Sequence, residues 1–428
     1  MKKVLFIIQS YPSNRSANVL CDDKIMKAML NSGDYEIHCL VYRFHGQQKY
    51  EELDGLKIHR LNRGLWWNLY TYARDNETEP FYRFLVKINR LLMRLKQLIC
   101  IPIYPNYEPL LAKNIARVAI ELHKEHNFDL VVSDHSGRDT LYAGGQLKKY
   151  DSNVILVSIL WDPISGRQLA KYLPKSYANF MMLRDEIRLL NNSDRIICLQ
   201  SNRSYQEIYS KDKPFFKNVR FLDIPGIVKP TMTNMEEQFT KNGMINILYS
   251  GILSLPDRDP AMLIEIIKQS KYADKINLLF FAAGDDGKSK AKAMLKDFKG
   301  TSLIHSYIPK LLLNSVAFHS DVLINIGGPN PRMVPSKIFE YMSLGKPILS
   351  TYYIDNESSR SYLEHYPASV CIDIREPLDK CVAVFENFIG QNLNKKVPFE
   401  EVEKIFSMNS PMEFIHVFEE LLKFNDYE

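Results

Sequence analysis

Several features that define other classes of protein are missing from this 428-residue sequence. No apolar run approaches the 18 or more residues that cross a bilayer, and the apolar start of the chain is too short for a signal peptide. The six cysteines are scattered, without a CxxC pair or Cys/His ligand spacing. Such cysteines are typical of a reducing cytoplasm and argue against a structural zinc site. We therefore expect a cytoplasmic protein.

A large excess of one charge is also missing, since the net charge is only +5. Its distribution is uneven: residues 1–230 contain 34 Lys and Arg against 24 Asp and Glu, and residues 231–428 contain 21 against 26. A basic half joined to a mildly acidic half argues against general nucleic-acid binding. It favours one surface that faces an anionic partner such as phospholipid.

Short apolar runs alternate with helical stretches along the whole chain, which predicts parallel sheets with crossover helices. The length suits two domains. The expected fold class is α/β, with two doubly wound, Rossmann-like domains, an N-terminal one over 1–228 and a C-terminal one over 244–408. A Pro-, Gly- and polar-rich linker is expected over 229–243. The predicted strands are Val4–Ile8, Glu36–Tyr42, Leu130–Ser133, Val154–Leu160 and Arg195–Leu199, then Ile245–Tyr249, Asn277–Ala282, Leu303–Ile304, Val322–Ile326 and Pro347–Ser350.

The most informative segment is 335–347, which predicts one short helix with both ends marked. Ser336 is a natural N-cap, and Gly345 followed by Pro347 is a natural stop. One side of this helix carries apolar residues at helical spacing and is predicted to pack. Its members are Ile338, Tyr341 and Met342, with Gly345 one turn farther on.

The other side of this helix carries Ser336, Lys337 and Glu340. A helix N-terminus with free N–H groups and an adjacent lysine favours an anion, typically phosphate. A capping box would need its glutamate where Phe339 stands, so the helix start does not need Glu340. A carboxylate one turn from a diphosphate is well placed to accept hydrogen bonds from ribose hydroxyls. The alternative is an ordinary crossover helix with an exposed Lys337–Glu340 ion pair.

This segment resembles the donor-binding helix of the family-4 glycosyltransferases, retaining sugar transferases of the GT-B fold, above all those of bacterial surface-polysaccharide synthesis. The resemblance implies two Rossmann-like domains facing a cleft. It also implies that Glu340 holds the ribose and that Ser336 and Lys337 lie against the diphosphate. In this family the C-terminal helix, here 409–428, often packs back on the N-terminal domain.

The resemblance extends to three further donor-side positions. Gly251 stands where the family has a glycine turn, and Arg258 stands near its diphosphate-binding basic residue, although a plain surface arginine is an equal alternative. The family's other basic residue is replaced by Ile252. Gly328 belongs to a glycine turn ahead of the donor helix, where backbone N–H groups can approach a sugar phosphate.

Two further positions matter for the substrates: one departs from the family pattern, and the other lies in the first domain. The family often has a second glutamate eight residues before the ribose glutamate, but that position is Arg332, which leaves the sugar open. Asp162 follows a first-domain strand where the family has a polar element facing the acceptor. It is our candidate for the catalytic or acceptor-positioning group; a simple turn with Pro163 is the alternative.

Residues 81–100 predict a helix with an apolar stripe and a narrow basic stripe of Arg83, Lys87, Arg90 and Arg94, and they contain no acid. This pattern is typical of a helix that lies on anionic lipid. Trp66, Trp67, Tyr70 and Tyr72 upstream suit the headgroup zone. The alternative is a core helix with solvated charges.

The sequence therefore predicts an enzyme: a GT-B glycosyltransferase of polysaccharide biosynthesis, cytoplasmic or peripheral on the inner face of the plasma membrane. It would transfer a sugar from a nucleotide-diphosphate sugar to a saccharide acceptor, which we expect to be lipid-linked. The resemblance implies retention of anomeric configuration, no metal and no cofactor beyond the donor. Two alternatives stay open: a nucleotide-sugar epimerase on the same fold and a non-catalytic nucleotide-sugar-binding protein.

Overall fold

The computed structural model describes residues 1–12, 17–106, 108–135, 137–164, 173–231, 238–306 and 308–425. The chain divides into two compact units. The first comprises Met1–Asp223 and the C-terminal segment from Pro411, and the second comprises Ile224–Ser410. Each unit is built around one sheet, of eight strands in the first and six in the second.

The strands of the first unit are β1 Lys2–Ile7, β2 Tyr35–Tyr42, β3 Tyr50–Leu53, β4 Leu56–Leu61, β5 Leu130–Asp134, β6 Ile155–Leu160, β7 Arg195–Leu199 and β8 Val219–Leu222. Those of the second are β9 Ile245–Ile252, β10 Ile276–Ala283, β11 Thr301–His305, β12 Val322–Ile326, β13 Ile348–Tyr352 and β14 Ser369–Asp373.

The helices, in chain order, are α1 Ala17–Ser32, α2 Leu65–Asp75, α3 Pro80–Ile99, α4 Pro109–His126, α5 Arg138–Tyr150, α6 Lys175–Leu190, α7 Arg203–Tyr209, α8 Ala261–Gln269, α9 Asp285–Met294, α10 Lys310–His319, α11 Lys337–Ser343, α12 Arg360–Leu363, α13 Leu378–Asn392, α14 Phe399–Ile405 and α15 Pro411–Asn425.

The sheet of the first unit has the strand order β3-β4-β2-β1-β5-β6-β7-β8. All neighbouring strands are parallel except β3, which pairs antiparallel with β4. Strands β1, β2, β5, β6 and β7 are nearly continuous buried apolar runs, as expected for a parallel sheet covered on both faces. The predicted α/β fold class is confirmed here.

The sheet of the second unit has the order β11-β10-β9-β12-β13-β14, with every pair parallel. This is the doubly wound Rossmann order, in which the winding direction reverses between the first and fourth strands. Here those two strands are β9 and β12. The core on its faces is apolar, with Ile247, Phe280 and Ile324 almost fully buried.

The ten predicted strands are all present, with ends that differ by a few residues. Four strands were not predicted: β3, β4, β8 and β14. These lie toward the sheet edges, where exposed or half-buried positions interrupt the apolar run; β3 and β14, for instance, are mostly half-buried or exposed. Without a continuous run, a strand cannot be separated from a loop by pattern alone.

The first unit ends at Asp223, and the second begins at Ile224. The backbone N–H of Ile227 donates to the carbonyl of Asn409 at 3.0 Å, and the Asn409 side-chain amide donates to the carbonyl of Ile224 at 3.3 Å. These hydrogen bonds tie the Pro-Gly segment to the second unit. The predicted linker 229–243 falls within that unit and is partly outside the described residues.

Helix α15 belongs to the first unit although it ends the chain. It packs against α1 and β6, and its apolar face contains the fully buried Phe414, Val417 and Phe418. The Phe414 ring lies 5.8 Å from that of Trp161, centroid to centroid. Arg220 of β8 pairs with Glu420 of α15 at 2.6 Å.

Candidate functional site

The donor-side glycines lie where the second sheet reverses its winding. Gly251 is near the carboxyl end of β9, and Gly328 follows the carboxyl end of β12, the neighbouring strand. Ligands of open α/β sheets bind in the crevice at this switch point. A Cβ at position 251 would lie 2.8 Å from the Tyr249 hydroxyl, so a larger residue there would force the tyrosine side chain to shift.

Arg258 lies in the loop between β9 and α8, and the structure brings it next to Gly328. Its Nε would be 3.8 Å from a Cβ built on Gly328. The loop is braced by the Arg258 N–H, which donates to the carbonyl of Ser254 at 2.7 Å. A guanidinium beside a glycine turn at a switch point is suited to an anionic group of a ligand.

The predicted short helix is α11, and its termination follows the prediction. Gly345 has φ +69°, a conformation that favours glycine, and its N–H donates to the carbonyl of Met342 at 2.8 Å. Ile338, Tyr341 and Met342 are buried, as predicted.

The start of α11 differs from the prediction. Ser336 occupies the cap position, but it has helical backbone angles and its side chain makes no capping hydrogen bond. A capping side chain normally needs extended backbone angles at this position, which explains the difference. Phe339 is also fully buried, so a larger part of the α11 surface is buried than the apolar spacing predicted.

Lys337 connects α11 to the end of β9. Its Nζ donates to the Oγ of Ser250 in a short contact, and the same Oγ lies 2.9 Å from the Tyr341 hydroxyl. Ser250 is buried and directly precedes Gly251. The lysine of α11 and the glycine turn of β9 therefore lie side by side at the switch point.

Lys337 is poorly solvated for a cation. Burial, helped by the neighbouring Lys310 ammonium, lowers its pKa to about 8, while the charge of Glu340 acts in the opposite direction. The two ammonium groups repel each other, and an anion that contacts both would offset this repulsion. This electrostatic arrangement favours a ligand with negative charge.

Glu340 pairs with Lys310 rather than forming the exposed Lys337 pair of the alternative interpretation. The Lys310 Nζ lies 2.6 Å from Glu340 Oε2, and both side chains are about three-quarters buried. The salt bridge orients the carboxylate beside Lys337. Lys310 was not among the predicted site residues. Its position at the start of α10 is nevertheless a signal of a functional role, because a positive charge there is unfavourable beside the helix dipole.

Arg332 lies in the turn between β12 and α11, and its backbone N–H donates to the Asn330 side chain at 3.1 Å. This half-buried arginine stands where the resembled family often has a carboxylate. The segment ahead of α11 is therefore more cationic than the pattern of the resembled family.

Asp162 lies in the first unit, two residues after the end of β6. Its backbone carbonyl is 3.2 Å from the Nδ1 of His135, which follows the neighbouring strand β5. Both residues therefore stand at the carboxyl edge of this sheet, the edge at which doubly wound domains bind ligands. The structure therefore brings His135 next to Asp162.

A buried carboxyl group that sequence reasoning missed lies beside this edge. Asp22 of α1 is fully buried. Desolvation, and next the charge of Asp134, hold the pKa of the Asp22 carboxyl well above its usual range. Burial and the neighbouring carboxylate of Asp134 therefore both favour the protonated form of Asp22.

Helix α3 carries the predicted basic and apolar stripes on an exposed surface. Val86 is its one fully buried residue within the described part of the chain. Ile99 is 80% exposed and Phe81 62%, and the exposed apolar residues of α3 also include Phe84, Leu91, Leu92, Leu95 and Leu98. Arg83, Lys87, Arg90 and Arg94 are exposed as well. The alternative of a core helix is wrong.

Helix α2 packs against α3 and extends this exposed surface. The Trp66 indole N–H donates to the Asn89 side chain at 2.9 Å, and Leu65, Trp66, Leu69 and Tyr72 are exposed. Glu77, in the turn between the helices, lies 3.8 Å from Arg90. Among the described helices, none is long and apolar enough to cross a membrane.

No protein-family model and no curated protein matches the chain. Solved structures do match. A UDP-forming α,α-trehalose-phosphate synthase from Burkholderia xenovorans is 12% identical, with a TM-score of 0.59 over 99% of both chains. Sucrose-phosphate synthase from Thermosynechococcus elongatus is 10% identical, with a TM-score of 0.57 over 99% of this chain and 100% of its own.

Anabaena HepE, in complex with UDP and glucose, is 12% identical with a TM-score of 0.55 over 98% of this chain and 100% of its own. At such identities the likeness shows the fold alone. The fold is that of the GT-B glycosyltransferases, as the sequence predicted.

Proposed function

We propose that this protein is a glycosyltransferase that transfers a sugar from a nucleotide-diphosphate sugar to a saccharide acceptor. The observation that carries the proposal is the Lys337–Ser250 contact, which sets a lysine of α11 against the glycine turn of β9 at the switch point. The similar folds support it, because the matched structures include UDP-forming synthases and a complex with UDP and glucose.

The chemistry follows from the charges around α11. When the glycosidic bond to the donor breaks, negative charge develops on the leaving diphosphate. Lys337 and Arg258 would stabilise that charge, together with N–H groups at the start of α11 and at the Gly328 turn. Glu340, held by Lys310, would accept hydrogen bonds from the ribose. The family resemblance supports retention of configuration without a metal.

For the acceptor side we propose Asp162, a carboxylate that can orient the attacking hydroxyl or accept its proton. The neighbouring His135 supports this role, because a cluster of polar groups at the carboxyl edge of a doubly wound sheet is suited to a substrate. The surface-polysaccharide role and family-4 membership are proposed on the resemblance of 335–347.

The test begins with binding of UDP, GDP and TDP and their common sugars, measured by thermal shift and then by titration calorimetry. We expect one nucleotide to bind and Glu340→Ala to weaken binding of the nucleotide sugar. Glu364→Ala, an exposed glutamate of the same unit, serves as the matched control. Absence of binding across the panel, or binding unchanged in Glu340→Ala, would overturn the proposal.

A second measurement separates transfer from the other two functions. With the bound donor and membrane-extracted acceptor lipids, the wild type should release nucleoside diphosphate and form a glycosylated product, and Asp162→Asn should bind donor but transfer at least tenfold more slowly. Epimer formation from donor alone would indicate an epimerase. Binding without turnover would indicate a non-catalytic protein.

We further propose that α2 and α3 attach the protein to an anionic membrane, which fits a lipid-linked acceptor. Helix α3 has exposed apolar side chains beside four exposed basic residues and contains no acid. An interfacial helix buries its apolar face at the headgroup boundary, while cations attract anionic lipid. Charge complementarity therefore favours anionic lipid as the occupant of this surface.

Sedimentation with phosphatidylglycerol vesicles tests the membrane proposal. We expect binding that weakens at 0.5 M salt and is lost in the triple variant Arg83/Lys87/Arg90→Glu, because the charges would then repel the surface. Arg117/Lys124/Lys148→Glu changes as many basic residues of the same unit outside α3 and should leave binding in place. No binding at low salt, or equal loss in both variants, would contradict the proposal.

A further inference from the structure

Three histidines from distant parts of the sequence meet in the first unit. His38 is on β2, His59 is on the adjacent parallel strand β4, and His126 is the last residue of α4. Within the described part of the chain, they form the group of three potential ligand side chains whose ligand atoms all lie within 4.8 Å of one another. This cluster lies on the opposite side of β1 from β5 and β6, which precede His135 and Asp162.

The distances suit a small cation. His38 Nδ1 and His59 Nε2 are hydrogen-bonded at 3.0 Å, and a bound ion would take the place of the shared proton. Ligand nitrogens at about 2.1 Å from a tetrahedral Zn²⁺ are roughly 3.4 Å apart. The hydrogen-bonded pair is slightly closer than that, and all the ligand atoms lie within 4.8 Å of one another, so small shifts of the side chains would admit the ion.

A carboxylate supports the ligand role of His38. Its Nε2 lies 2.8 Å from Glu36 Oε1, and the carboxylate also accepts from Lys57 at 2.7 Å. An ionised Glu36 favours a proton on Nε2 and leaves Nδ1, the nitrogen that faces His59, with a lone pair. Metal-binding histidines typically donate their other N–H to a carboxylate in this way.

The three rings are packed closely together in a largely buried place. His38 is fully buried, and its ring lies 4.3 Å from that of His126, centroid to centroid. The Phe128 ring lies 5.1 Å from that of His38 and gives the cluster an apolar wall. The His126 side chain is 23% exposed, which provides a route for an ion.

We propose that His38, His59 and His126 form a binding site for a late first-row divalent metal ion, with Zn²⁺ as the representative. Imidazole suits zinc, nickel and copper, and three protein ligands leave a fourth position for water. The ion would join β2, β4 and the end of α4. This role is structural and is independent of the glycosyl transfer proposed above.

The test uses the full-length chain without an affinity tag, stripped with a chelator and titrated with Zn²⁺ in competition with a chromogenic chelator. We expect one ion per chain and at least 100-fold weaker binding in His59→Ala. Glu36→Gln should weaken binding about 10- to 100-fold, because it removes the orienting carboxylate and leaves the three ligands in place. Co²⁺ should give the intense visible absorption of a tetrahedral site in the wild type.

His365→Ala, a histidine of the second unit, is the matched control and should bind Zn²⁺ like the wild type. His126→Ala, at the half-exposed end of α4, replaces His59→Ala if circular dichroism shows that the latter is unfolded. Less than one ion per chain at saturating Zn²⁺, or equal affinity in the wild type and the folded histidine variants, would overturn the proposal. Neither result bears on nucleotide binding, so the failure of the metal site can be distinguished from the failure of the proposed transferase activity.

Discussion

At the scale of single residues, the environment of Lys337 is the most unusual feature of the second unit. Its ammonium is half-buried, donates to Ser250 and lies close to a second ammonium, that of Lys310. Such a placement disfavours the charged lysine in the ligand-free protein. A diphosphate would reverse this, because it supplies the opposite charge.

We therefore predict that Lys337→Met weakens UDP binding about 10- to 100-fold. The reason is the loss of charge-assisted hydrogen bonds, worth roughly 1.5–3 kcal/mol. Titration calorimetry measures the Kd. Lys380→Met, at an exposed position of the same unit, should bind like the wild type. A Kd within twofold of the wild type for Lys337→Met would remove this residue from the binding site.

The same residue predicts a pH dependence. Since the pKa of Lys337 is about 8 in the free protein, its charge is present at pH 7 and lost as the pH rises through 8. UDP affinity should fall above pH 8 by up to about tenfold per unit, whereas an ordinary lysine would keep its charge beyond pH 9. Kd values from pH 7 to 9.5 check this. Lys337→Arg, which stays charged, should show no fall over that range.

At the scale of elements, α15 shows how a segment distant in sequence completes a unit. Phe418 is fully buried on the face of α15 that packs against the first unit. Phe→Ala in a core typically costs about 3–5 kcal/mol. We predict that Phe418→Ala lowers the free energy of unfolding of the first unit by this amount, and that Met412→Ala, at an exposed position of α15, changes it by less than 1 kcal/mol.

Urea unfolding followed by tryptophan fluorescence measures this effect, because all three tryptophans, Trp66, Trp67 and Trp161, belong to the first unit. Trp161 is also adjacent to α15 through Phe414. An unchanged midpoint in Phe418→Ala would mean that α15 does not contribute to the stability of that unit.

Helices α11 and α3 were predicted from different local signals, a glycine stop in α11 and a periodic pattern in α3. The prediction of where α11 ends was correct, because it depends on the backbone conformation of Gly345, which is a local requirement. The prediction for its start depended on Ser336 and differed, since Ser336 has helical backbone angles and makes no capping hydrogen bond. The stripes of α3 are a local periodicity, but only the structure decides that they are exposed rather than buried.

At the scale of the whole molecule, the residues proposed for donor binding all belong to the second unit. Nucleotide that binds only the folded state stabilises that state by mass action, by about 2.7 kcal/mol at 100 times the Kd. We predict that UDP, or the nucleotide the panel selects, raises the midpoint of the calorimetric transition that contains the second unit. Lys337→Met should show a much smaller rise at the same concentration.

Differential scanning calorimetry with and without nucleotide measures this shift, with adenosine monophosphate as a control for unspecific anion binding. A shift of equal size in Lys337→Met would assign the bound nucleotide to another part of the molecule.

The α/β fold class, ten of the fourteen described strands and the end of the short helix could be derived from the sequence alone, because buried apolar runs and glycine conformations are local properties of the chain. The sequence also placed Gly251 and Gly328 at strand ends. The roles of these residues, and of Arg258, Ser336, Lys337, Glu340 and Asp162, stay predictions until binding and transfer are measured.

Which distant residues meet could be seen only in the folded chain. Lys310 lies beside Glu340 and Ser250 beside Lys337 because the strand order of the second sheet brings the ends of separate elements together. His38, His59 and His126 meet for the same reason in the first unit, although no ligand spacing in the sequence indicates it. Strand order depends on long-range packing, and packing is a property of the folded chain as a whole.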